Sequence, residues 1–141
     1  FVLLIFIQIT LGAFTSGLDA GKIYQTWPSM NNNFFPDDIN LSDLNKTDFF
    51  SDPSIVQFLH RNMAYVIFLY ILGISIYIFS KKLSYLYTPL FYVLAMVFVQ
   101  IFLGVITLVS GLNIIYASLH QISTTLLLIT SINLSFIFKK E

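Results

Sequence analysis

The chain carries two histidines, His60 and His120, and no cysteine. Each histidine lies in a long apolar run, where an ionisable side chain is costly and is usually kept for a function. His60 stands six residues past Ser54, and His120 four past Tyr116. With 1.5 Å of rise per helical residue, each imidazole then sits roughly 6–9 Å below the start of its helix, so the two lie at matching depth. A neutral imidazole is a good ligand for iron, copper or zinc. Two ligands alone make a poor zinc site, and no Cys, Asp or Glu lies inside the apolar runs to complete one. A porphyrin brings four nitrogens of its own and needs only two axial groups, so one haem shared by His60 and His120 fits the pattern. The competing reading is that each histidine makes an interhelical hydrogen bond and ligates nothing.

The neighbours of the histidines bear on both readings. One turn below His120 stand Ser123 and Thr124, and one turn below His60 stands Ala64. Small residues there leave room for the edge of a flat macrocycle. Arg61 follows His60 directly, and its guanidinium suits a propionate carboxylate; it could equally snorkel to lipid headgroups. Gln8 and Gln100 read better as glue between helices than as cofactor contacts, because Gly12 and Gly104 one turn on permit close approach.

The elements that must position these residues follow from hydropathy. Of the 141 residues, 57% are hydrophobic and 10% charged, against about a quarter charged in soluble domains. Four apolar runs, about 1–18, 54–79, 86–109 and 116–138, are near or above the roughly 20 residues a bilayer-crossing helix needs. Backbone groups in lipid must be satisfied internally, so the runs are expected to be helices. The expected fold is all-α: a transmembrane four-helix bundle, one domain over residues 1–141, with a long structured outer loop at 19–53. Phe1–Gly17 lacks a basic leading region and an A-x-A-like cleavage site, so it reads as a helix of a longer chain and not as a signal peptide. Zero formal net charge and seven scattered Lys and Arg give no case for nucleic-acid binding.

Lys81, Lys82, Lys139 and Lys140 close the second and fourth runs, whereas the loop holds six Asp against Lys22 and Lys46. The positive-inside rule places the lysine pairs and both ends of this segment in the cytoplasm or its equivalent, with the loop outside. Trp27-Pro28 and Phe34-Phe35-Pro36 are apolar anchors in that loop, which is expected to fold back over the outer end of the bundle. The sequons Asn40-Leu41-Ser42 and Asn45-Lys46-Thr47 read as accidents of an Asn-rich segment.

An internal repeat sets the symmetry. Residues 8–15 (QITLGAFT) and 100–107 (QIFLGVIT) agree at five of eight positions. Each copy precedes a helix that runs inward and carries a histidine. Two copies of one helix hairpin, related by a pseudo-two-fold axis along the membrane normal, are implied. A transporter half would also be built from repeats, but it needs an intramembrane charge or broken helices near the midplane, and neither is evident.

At these residues the sequence resembles haem A synthase of the alphaproteobacterial and mitochondrial type. The stretch from Gln8 to Gly21 (QITLGAFTSGLDAG), Tyr24 to Met30 (YQTWPSM), Val56-Gln57-Phe58-Leu59-His60-Arg61, the repeat from Gln100, and Leu119-His120-Gln121 carry the likeness along nearly the whole chain. Ser51-Asp52-Pro53 stands where the family usually has Asn and Glu. The resemblance implies an eight-helix protein of two similar halves, of which this chain is like the C-terminal one. It implies a haem B cofactor held by bis-histidine ligation through His60 and His120. The reaction it implies is oxidation of a methyl group of haem O to the formyl group of haem A, for cytochrome oxidase. Haem O as substrate, an electron donor and haem O synthase are the implied partners; a bacterial inner or mitochondrial inner membrane is the implied location. The family's other histidine pair and its outer-loop glutamate are not in this chain, so the catalytic residues are unassigned. The alternative is a cytochrome b-like membrane electron carrier.

Overall fold

The computed structural model describes residues 1–39 and 49–140. Among them the regular structure is helical, apart from an isolated bridge between Met30 and Asn33. The helices are α1 (Val2–Gly17), α2 (Pro53–Ser80), α3 (Tyr87–Val109) and α4 (Ile114–Lys140), with single 3₁₀ turns at Ala20–Lys22, Phe49–Ser51 and Ser84–Leu86. Three spans, Pro53–Ser80, Ser84–Val109 and Ile114–Lys140, are long and apolar enough to cross a membrane. The fourth expected span, α1, is apolar but at 16 residues is shorter than the roughly 20 that a crossing needs. The two sequons and part of the acidic loop lie outside the described residues.

Local chemistry sets the helix ends. Asp52 caps α2: its Oδ1 accepts from the backbone N–H of Ser54 at 2.9 Å and of Ile55 at 3.1 Å. Pro53 follows at the first helical position, where its missing N–H costs nothing. Asn113 does the same for α4, accepting from Ile115 N at 3.0 Å, so the helix begins two residues before the expected Tyr116. At the end of α3, Gly111 and Leu112 both take left-handed φ, 71° and 62°. This returns the Leu112 N–H to Thr107 O at 2.9 Å, closing the last turn as a Schellman-type cap.

α3 packs along α4 and α1 along α2, while α1–α4 and α2–α3 contacts are sparser. One buried cluster joins the helices: Ile5 of α1, Ile67, Ile71 and Ile78 of α2, Leu90, Val93 and Val97 of α3, Leu127 and Leu134 of α4, and Leu86 just before α3. The three- and four-residue spacings are those of single helix faces. Ser75 and Ser131 interrupt the stripes while buried, and each hydroxyl donates to the carbonyl four residues back, at 2.7 and 2.6 Å. Their polarity is thereby satisfied within the helix. The whole cluster lies towards the lysine-bearing ends of α2 and α4.

Candidate functional site

The same stripes continue beyond the core towards the loop. Seven residues before Ile67 is His60, and seven before Leu127 is His120. Three and seven residues after Ile5 are Gln8 and Gly12; three and seven after Val97 are Gln100 and Gly104. Two helical turns carry the core faces directly onto the candidate residues. Here the stripe changes character: Gln8, Gly12, His60, Ala64, Gln100, Gly104, His120 and Thr124 are all only half-buried. The faces are fully buried against one another in the lysine half and only half-buried in the loop half.

Each histidine rests on the glycine of its partner helix. A Cβ built on Gly12 would stand 3.2 Å from His60 Cε1, and one built on Gly104 would stand 3.3 Å from His120 Cε1. Those distances are tighter than ordinary van der Waals contact, so the glycines are what let the rings lie this close to the neighbouring backbone. The glutamines repeat as well. Gln8 Nε2 donates to the His60 carbonyl at 3.1 Å, and Gln100 Nε2 to the His120 carbonyl at 3.2 Å. The packing role expected for the glutamines is what the geometry has: each fixes the helix on which its histidine stands. Nδ1 of both imidazoles is buried without a hydrogen-bond partner. Among the described residues no group of three or more His, Cys, Asp or Glu gathers that could hold a metal ion.

Arg61 is turned to the loop. Its Nη2 donates to Tyr24 O at 2.8 Å and its Nη1 to Ser29 O at 3.3 Å, while Nε is buried without a partner. Gln57, only 2% exposed, donates to the same Tyr24 carbonyl at 2.8 Å. Tyr24 Oη in turn donates to Asp38 Oδ1 at 2.7 Å, and Ser54 Oγ donates to Asp38 Oδ2 at 2.6 Å. Burial pushes the Tyr24 phenol above its usual range, and the Asp38 hydrogen bond adds to this. Burial also works to raise Asp38, but the hydrogen bonds from Ser54 and Tyr24 outweigh it and hold the carboxyl below its ordinary value. Phe34 and Phe35 meet Phe58 edge-on, at ring distances of 5.8 and 5.1 Å.

The residues from 24 to 38 thus bind to the first turns of α2, directly above His60. Sequence reading singled out the aromatic anchors but passed over Tyr24, Asp38 and Gln57 as a connected set. Their one signal was Gln57, a polar residue inside the apolar start of α2. A separate open groove of about 450 Å³, lined by Thr10, Ala13, Phe14, Gly17 and Leu18, includes neither histidine.

Comparison with known proteins gives the family. The family model described as cytochrome oxidase assembly protein (COX15-CtaA) matches residues 1–132. A Heme A synthase of Pelagibacter ubique is 51% identical over 125 residues, which is 89% of this chain and 37% of that protein. Those of Rickettsia prowazekii and Rickettsia bellii are 36% and 37% identical, covering 99% and 90% of this chain and 42% and 38% of their own lengths. The chain therefore spans about two fifths of the length of these relatives. No solved structure matches it. The match over 132 of 141 residues makes the chain a member of the COX15-CtaA family of cytochrome oxidase assembly proteins.

Proposed function

We propose that this chain is the haem-holding half of a haem A synthase, with His60 and His120 as the two axial ligands of one haem B. The observation that carries the reading is the repeated cradle: His60 on Gly12 with Gln8 bonded behind it, and His120 on Gly104 with Gln100 bonded behind it. Donor chemistry fits the group. Two imidazoles without a third ligand suit a porphyrin, which needs only axial groups, better than a bare ion. The half-buried stripe around them supplies width that the sealed core below does not.

The chain's own residues have definable tasks in this reading. The bundle is two repeated hairpins crossing the membrane, with lysine ends in the cytoplasm or matrix and the loop on the other side. Gly12 and Gly104 let the rings lie flat against the neighbouring helices, and Gln8 and Gln100 hold the helices in register. Residues 24–38 close the open end and limit water around the ligands. Arg61, poised between His60 and the loop, is the cation for a propionate. A haem with both axial positions filled supplies one-electron transfer, with no open position for oxygen. The complete enzyme would oxidise the methyl group of haem O to a formyl group, with an electron donor and haem O synthase as its partners. No residue of this chain is assigned to that oxidation.

The test is the absorption and EPR spectra of the purified full-length membrane protein. A low-spin haem signal is expected, and it should be lost or converted on replacing His60 or His120. A signal indifferent to both substitutions would sink the ligand assignment. Failure to convert supplied haem O, with the signal intact, would favour a simple electron carrier of the cytochrome b kind.

A further inference from the structure

The two cradles repeat in backbone but differ in how tightly each histidine is held. The His120 carbonyl accepts from Gln100 Nε2 at 3.2 Å and Thr124 Oγ1 at 2.8 Å, while the single Ser123 hydroxyl proton goes to Leu119 O at 2.7 Å with His120 O a second contact at 3.2 Å. Gln100 has a partner at both ends: its Nε2 also donates to Ser123 Oγ, and its Oε1 lies 3.1 Å from Thr124 Oγ1, whose single proton it shares with the His120 carbonyl. The amide is thus tied at both ends to the turn that follows the histidine.

At His60 the corresponding positions are Met63 and Ala64, which offer no hydroxyl. The His60 carbonyl accepts from one side chain, Gln8 Nε2 at 3.1 Å. Gln8 Oε1 is buried with no partner, and the Gln8 Nε2 atom lies 3.5 Å from His60 Nε2. That ring nitrogen is the one an iron would take, because Nδ1 faces Gly12, 3.7 Å from the position of its would-be Cβ. The amide beside His60 is therefore tethered at one end only and lies next to the ligand atom.

We infer that the two histidines are unequal ligands: His120 is the anchored one, His60 is the exchangeable one, and Ala64 against Thr124 is the difference that makes them so. The inference rests on the haem reading above and sharpens it. Each missing hydrogen bond to the backbone that carries a ligand lowers the cost of swinging that ligand away. When a histidine detaches, the partly tethered Gln8 amide can turn to the freed His60 Nε2, whereas the Gln100 amide, partnered at both ends, has no free group to offer His120. Gln8, Ala64, Gln100 and Thr124 are positioning residues in this scheme and do not touch the iron.

The experiment uses the full-length haem-loaded protein and two probes, cyanide and imidazole. Cyanide enters a bis-histidine ferric haem only when one histidine lets go, so its binding rate reports detachment. Ala64→Ser, which gives Gln8 Oε1 a hydroxyl partner, should slow cyanide binding by roughly three- to tenfold, the worth of one hydrogen bond. Thr124→Ala loosens only the slower ligand, so it should bring His120 level with His60 and raise the rate by no more than about twofold. His60→Gly should keep its haem in a five-coordinate high-spin form that imidazole returns to low spin, while His120→Gly should lose most of its haem. Equal haem loss from the two glycine variants, the reverse order, a cyanide rate unmoved by Ala64→Ser, or one raised severalfold by Thr124→Ala would overturn the inequality and leave both histidines as ligands. A low-spin spectrum untouched by either glycine variant would instead overturn the ligand reading itself, and the inequality with it.

Discussion

His120 occupies the space that a side chain on Gly104 would need: a Cβ built there stands 3.3 Å from the ring's Cε1. The ring's place is therefore set by an absence on the facing helix, and the prediction is steric. Gly104→Ala asks the imidazole to give by a few tenths of an ångström, and Gly104→Leu expels it. The alanine variant should retain haem with a shifted low-spin band, and the leucine variant should lose most of it, at an overpacking cost of about 1–3 kcal/mol. Gly12→Ala should likewise shift the low-spin band, and Gly12→Leu should expel His60, whose Cε1 is 3.2 Å from the corresponding point, leaving the haem bound but high-spin. Haem-to-protein ratio and the visible spectrum check this; a leucine variant with unchanged spectrum would contradict the steric account.

Asp52 fixes the start of the helix that bears His60. Its Oδ1 takes two of the first free N–H groups of α2, those of Ser54 and Ile55. Asp52→Ala should cost about 1 kcal/mol and lower the midpoint of thermal unfolding in detergent. Asp52→Asn should retain nearly all of the stability, because an amide oxygen caps as well as a carboxylate does. A large loss in Asp52→Asn would mean that the charge matters beyond the cap.

The all-helical fold and three of the four expected spans were legible in the sequence because they rest on period, whereas Gly12 and Gly104 were legible as points of close helix approach and not as the seats of the histidines. Hydropathy gave the helix limits to within about two residues, and the copy of QITLGAFT at residue 100 marked the helix that precedes each histidine. The Asp52 cap was harder to read. Ser51-Asp52-Pro53 departs from the related pattern, yet an Asp before a Pro before an apolar run is itself a helix-start signal. The network of Tyr24, Asp38, Ser54 and Gln57 was not legible. Its members are spread over residues 24 to 57 and meet only through tertiary folding, so no local periodicity marks them. The contrast of Ala64 with Thr124 was visible, but as space for a cofactor; its bearing on Gln8 and Gln100 needed the hydrogen bonds.

Arg61 ties the loop to the helix next to His60. Two charge-assisted bonds to the carbonyls of Tyr24 and Ser29 are each stronger than neutral ones. Arg61→Gln should release residues 24–29 and raise their rate of proteolytic cleavage. Arg61→Lys should restore only part of the protection, because a single ammonium cannot reproduce the planar fork across two carbonyls. If Arg61 serves only headgroups, both variants should be cleaved at the rate of the unmodified protein. Cleavage of the loop in proteoliposomes, with the loop side accessible, separates the cases.

The loop's hold on α2 should also depend on pH, in a window set by Tyr24 and Asp38. Hydrogen bonds from Ser54 and Tyr24 favour ionised Asp38 and keep its folded value below 3.8. A carboxyl depressed on folding contributes stability that is present above its unfolded value and is lost as pH falls through its folded value. Tyr24 is shifted the other way, above 10.0, so its neutral donor form contributes below that value and is lost as pH rises through the raised one. Amide-exchange protection of residues 24–38, read by a short labelling pulse at one fixed pH after incubation, should be flat from about pH 5 to 9 and fall at both extremes. Asp38→Asn should flatten the acid limb and Tyr24→Phe the alkaline limb. Each should lower protection throughout, because each removes a bond that holds Ser54 or Asp37 in place. An acid limb that persists in Asp38→Asn would assign it to another carboxylate, and the Tyr24–Asp38–Ser54 contact would then not be what closes this end of the protein.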